Sequence, residues 1–78
     1  MDGFTFSHHA LQRALDMQVD GDTLRKVLTR PHYIIRCRDN ARYDYYSRGD
    51  VTCMVERLTG LVITVLWRTE KAWRKDLK

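Results

Sequence analysis

The chain has 78 residues, 44% of them apolar and 31% charged, and carries a net charge of +4. That length fits one domain with a thin core, because a chain this short buries only about 60 to 65 per cent of its unfolded surface, and the proportions exclude a disordered or membrane-embedded protein. No run approaches the roughly 18 apolar residues of a membrane span, and the first residues lack the basic start and apolar middle of a signal peptide, so a cytoplasmic protein without membrane contact is expected.

Ser7 suits the N-cap of a first helix, with Phe6 before it and Leu11 at the fourth helical position as a hydrophobic staple. Leu11, Ala14, Leu15 and Gln18 fall on one face at i, i+3, i+4, i+7, which predicts the buried stripe, while His9, Arg13 and Met17 lie on another side. Asp20 suits the cap of a second helix with Leu24, Val27 and Leu28 inward. Pro31 forces Arg30 out of helical geometry, so that helix ends by Thr29, and the short connection makes the two helices neighbours.

After Pro31 the period changes to two. Tyr33 to Arg38, Arg42 to Ser47, Val51 to Arg57 and Leu61 to Trp67 read as four strands joined by hairpins, an antiparallel meander. The last strand, entered through Gly60 and apolar save for Thr64, is expected at the centre of the sheet with both faces covered. Residues 68–78 form a basic C-terminal segment, either a tail or a short helix anchored by Trp73. The order predicts an α+β domain over residues 1–78, with two N-terminal helices on one face of a four-stranded antiparallel sheet. The other face is open or covered only by the C-terminal segment. Tyr33 to Arg38 is an edge strand that could pair with a second copy, so a dimer is compatible with the sequence.

Charge gives the first functional pointer. Residues 1–29 hold three basic and four acidic groups, whereas residues 68–78 hold five and two, so positive potential gathers in the second half. Ten of the fourteen basic residues are arginine, which suits bidentate contact with phosphate. An anionic partner follows, with nucleic acid first.

Several short patterns dissolve under weighing. Arg48-Gly49-Asp50 spells an adhesion tripeptide but is ordinary hairpin chemistry. Asp16 to Val27 opens like a calcium loop but has valine where a bidentate glutamate is needed. His8, His9 and His32 lack zinc spacing, and Cys37 and Cys53 read as buried thiols, so neither metal nor cofactor is expected.

Two patterns carry chemistry. His9 and Arg13, one helical turn apart, set a titratable group beside a fixed cation, as cleavage of a phosphate ester requires. The strand from Arg42 to Arg48 interleaves aromatics with arginines, placing Tyr43 and Tyr45 on one face and Arg42, Asp44, Tyr46 and Arg48 on the other. Aromatic platforms with flanking cations are what single-stranded RNA binding uses.

The His9-Ala10-x-x-Arg13 helix, the second helix ending before Pro31, the Arg/Tyr strand and the closing Val62-Ile63-Thr64-Val65-Leu66-Trp67 strand resemble a family of small bacterial and phage proteins. That family is similar to the RelE/BrnT-type ribonuclease toxins, a fold group shared with barnase, EndoU and the colicin nucleases. The resemblance spans about Phe4 to Trp67. It implies a cytotoxic, metal-independent endoribonuclease or RNA-directed growth inhibitor, acting on free or ribosome-associated RNA and restrained by an antitoxin. Position by position it implies His9, Arg13, Tyr45 and Thr64 as catalytic, with Arg36, Arg42, Tyr43 and Arg48 holding RNA. Met17 stands where the family has a second arginine, so one phosphate-stabilising cation is missing unless Arg42 or Arg48 replaces it. Two alternatives follow from that departure: a catalytically inactive module that inhibits a host protein, and an RNA-binding protein that does not cleave.

Overall fold

In the computed structural model, which describes residues 3–76, the chain runs β1 (Thr5–Phe6), α1 (His8–Asp16), α2 (Gly21–Thr29), β2 (Tyr33–Arg36), β3 (Tyr43–Arg48), β4 (Val51–Glu56), β5 (Leu61–Trp67) and α3 (Glu70–Asp76). Both expected caps are made. Ser7 Oγ accepts from Ala10 N at 3.0 Å and Asp20 Oδ1 from Thr23 N at 2.7 Å, each satisfying a donor that the first helical turn leaves unpaired.

The class is α+β, but the sheet has five strands and is mixed, in the order β1-β5-β4-β3-β2. The expected four-strand meander is present as β2 to β5. To it the N-terminal segment adds β1, parallel to β5 with Thr5 opposite Leu61 and Phe6 opposite Val62. Two residues carry no periodicity, so this strand leaves no mark in the sequence. Its position depends on Gly60, whose φ of +74° suits glycine and where a Cβ would meet Gly3 O at 2.0 Å. The central strand is therefore β4, and β5 lies one place from the edge.

Within β5 strict alternation also fails. Met54 pairs with Thr64 and Val55 with Val62, which leaves Ile63 as an inserted residue on the β5 side. Val62 and Val65, three apart, are consequently both fully buried on the face that carries α1 and α2. A single core forms there from Ala10, Ala14, Met17, Leu24, Val27 and Leu28 of the helical segment against Val51, Cys53, Val55, Val62 and Val65 of the sheet. Each buried valine or leucine contributes about 1.5–3 kcal/mol. Burial also pushes the Cys53 thiol up to about 12, so it acts as a small apolar side chain.

The stripe expected for α1 is rotated. Ala10, Ala14 and Met17 face the core, while Leu11 is 49% and Leu15 72% exposed. The alanines let the helix axis lie close along β5, and larger leucines on that line would hold it away. This rotation turns His9 and Arg13 toward the outer edge of β5.

The opposite face of the sheet is only partly covered. The basic segment folds there as α3, capped by Thr69 Oγ1 on Ala72 N at 3.1 Å, and residues 77–78 of that segment lie outside the described residues. Trp73 is its anchor, 6% exposed, and its Nε1 donates to the buried Thr52 Oγ1 at 2.9 Å. No described helix is long and apolar enough to cross a membrane.

Candidate nucleic-acid interface on the open sheet face

Beyond Val62 the outer edge of β5 is no longer paired by β1, and side chains of the α1 region take over. Ser7 Oγ donates to Ile63 O at 3.0 Å, and Arg13 Nε donates to Val65 O at 3.3 Å. Between them His9 Nε2 lies 3.2 Å from Thr64 Oγ1. Three of the four residues expected to be catalytic thus lie together, and of the two exposed histidines of α1 the one that reaches the strand is His9. These contacts also seal a strand edge, a purely structural service.

Tyr45 is not part of that group. It sits opposite Met54, and Met54 opposite Thr64, so the three form one row across the sheet with Tyr45 and Thr64 about 10 Å apart, two strand spacings. Its hydroxyl lies 3.7 Å from Cys37 Sγ, on the far side of β3 from Thr64. That hydrogen bond first, and burial second, hold the phenol above the ordinary tyrosine value, so it stays protonated at neutral pH.

The Tyr45 ring instead packs against Trp73, centroids 5.1 Å apart at 41°. The two rings form one wall of a hollow of about 590 Å³ with Met54 and Leu66 in its lining and Arg38 and Arg68 as its basic residues, while Arg36 borders it but stands opposite Asp44, so its side chain points to the helix side. That volume falls within the range of about 300–1,000 Å³ found for ligand sites. The Arg68 guanidinium lies 4.2 Å over the Trp73 ring, a cation–π contact that holds a positive charge against the aromatic wall. Asp39, in the turn after β2, supplies the carboxylate of the lining.

The remaining expected RNA contacts are dispersed. Arg42 is paired with Glu56 at 3.6 Å. Tyr43, opposite Glu56 and half-buried, shares the open face with Tyr45. Arg48 Nη1 donates to Arg30 O at 2.8 Å, closing the end of α2. Asp44, on the helix side of β3, is held bidentately by Arg57 at 2.9 and 3.1 Å. Of the expected set only Tyr45 and, at its border, Arg36 reach the hollow. Arg38, Asp39, Arg68 and Trp73 were not singled out as contacts by the sequence, although the aromatic anchor among five basic residues in 68–78 pointed to that segment.

Among the described residues no three His, Cys, Asp or Glu side chains gather as a metal site. Comparison of the chain with protein-family models, with curated proteins and with solved structures yields no match.

Proposed function

We propose that this protein is a small RNA-directed module of toxin-like α+β architecture that binds single-stranded RNA across its open sheet face. The observation that carries this reading is the hollow, where an aromatic wall meets Arg38 and Arg68. Unpaired bases need an apolar or aromatic surface, and the phosphates that follow them need cations within reach. Arginine serves both ends, stacking as a plane and pairing with phosphate as a fork.

Binding is tested by fluorescence anisotropy of a labelled, unstructured RNA over a range of salt concentrations. Two arginine–phosphate contacts give a slope of log K against log salt of roughly −1.4, and R38A or R68A each reduce it by about 0.7. Weak binding with no salt dependence would remove the proposal.

A cleaving version of the same module is favoured by one specific contact, that of His9 with Thr64. In it a ribose 2′-oxygen attacks the adjacent phosphorus and the bond to the 5′-oxygen breaks, leaving a cyclic phosphate and a 5′-hydroxyl that takes its proton from water. His9 takes the 2′-hydroxyl proton and Arg13 offsets charge on the non-bridging oxygens. Tyr45, two strands away, has no part in that step and serves binding instead. RNA incubated with the protein and a chelator, beside H9A/R13A, is cleaved only by the parent if this version holds.

A further inference from the structure

We infer that the protein forms a two-fold dimer in which β2 pairs antiparallel with β2 of a second copy, about an axis at Ile35. This goes beyond the RNA-binding reading, because pairing joins the open faces of two copies, and with them two hollows, into one surface.

The two edges of the sheet differ. At one, β1 covers Leu61 and Val62, and beyond it Ser7 and Arg13 take the carbonyls of Ile63 and Val65. At the other, β2 has no strand outside it among the described residues. Cys37 N donates to Tyr43 O at 3.1 Å, so alternation turns the backbone groups of Tyr33 and Ile35 toward β3 and those of Ile34 and Arg36 outward. Between Tyr33 and Arg36 there is no proline or lysine, the residues that commonly guard a free edge, and Ile34 is 58% exposed.

The occupant is a second copy because this edge is its own complement. With Ile35 opposite Ile35, the N–H and C=O of Ile34 meet those of Arg36 in the copy, and the two-fold repeats the exchange, for about four hydrogen bonds in all. A register centred on Ile34 would call on His32 N, which already donates to Ser47 O. One centred on Arg36 would set two guanidinium groups face to face. The register about Ile35 instead lays Ile34 along the stem of the copy's Arg36, a residue whose own chain places Asp44 opposite it on β3. On the open face it sets the copy's Tyr33 beside Cys37, in the lining of the hollow. Since the outer edge of β5 is taken, β2 of one copy cannot add to β5 of another, and the assembly closes at two.

Four strand residues a side bury less than the roughly 1,200 Å² of stable complexes, so the full chain is followed by sedimentation equilibrium from about 10 µM to about 1 mM. Monomer is expected to pass to dimer across that range. Each copy carries +4, so the dimer tightens with salt, whereas copies bridged by RNA part in salt. I34P removes an outward N–H that β3 does not use, and I34K charges the contact; each weakens association by about tenfold or more with the circular dichroism unchanged. Across the axis the two Cα atoms of residue 35 lie about 4.5 Å apart, so I35C oxidises to a disulfide dimer and I34C does not, while the parent thiols are buried. A parent that stays monomeric at the highest concentration, association that salt dissolves, I34P and I34K both dimerising like the parent, or cross-linking through I34C in place of I35C overturns the inference. A dimer that binds no RNA keeps it and removes the RNA-binding reading instead.

Discussion

The hydrogen bond between Trp73 and Thr52 decides whether the hollow exists, because it fixes the aromatic wall to the floor of the sheet. Thr52 is fully buried and its hydroxyl accepts from the indole at 2.9 Å. Replacing it by valine keeps the volume and removes the acceptor, leaving a buried indole N–H unpaired at a cost of about 1–3 kcal/mol. For a chain of this length each kcal/mol lowers Tm by roughly 4–8 °C. The loss has a ceiling, however, because α3 has seven residues and cannot persist as an isolated helix. Once the penalty exceeds the docking energy of α3, the helix detaches and the core on the other face remains. T52V, W73F and the double variant are compared by urea unfolding, followed by far-UV circular dichroism. If the bond acts as described, the double variant is more stable than the sum of the single losses by about 0.5–3 kcal/mol. Losses additive within about 0.3 kcal/mol would refute the reasoning.

Other outcomes follow from single contacts. Ser47 is fully buried beside Thr52, and its Oγ finds no hydrogen-bond partner among the described residues, so S47A is expected to raise stability by about 1 kcal/mol in urea unfolding. Gly60→Ala is expected to displace β1 and lower Tm, through a clash with Gly3 and a positive φ, whereas Gly49→Ala meets no atom within 4 Å and costs only the strain of its own φ. Asp20 has its carboxyl held below the ordinary 3.8 by the Thr23 backbone N–H it caps. Its contribution is thus present above that value and lost as pH falls through the lowered one. The Tm difference between the parent and D20A, clear at neutral pH, should close in acid below that lowered value.

Much of the architecture can be read directly from residues. Ser7 and Asp20 are short polar side chains before apolar stripes, Pro31 is an unambiguous stop, and the strands that follow it are separated by evident turn residues. Three features escape because they are tertiary. The β1 pairing is too short to have a period. The inserted Ile63 reverses which residues of β5 face the core, and nothing in a run of apolar side chains marks the insertion. Small alanines rather than leucines line the inner face of α1, since proximity to the sheet outweighs side-chain size. The site divides in the same way. His9, Arg13 and Thr64 share a helix turn and a strand that the sequence does show, and they meet, whereas the hollow joins the β2–β3 turn to the C-terminal helix across the sheet, a juxtaposition that no local spacing encodes.

The two indole N–H resonances give the most direct measurement of where RNA sits. In a titration with unstructured RNA followed by ¹H–¹⁵N NMR, the Trp73 indole and the amides of Tyr45, Met54, Leu66 and Arg68 are expected to shift. The Trp67 indole and the exposed leucines of α1 stay in place. Shifts confined to Trp67, Leu11 and Leu15, with the hollow unchanged, would contradict the account.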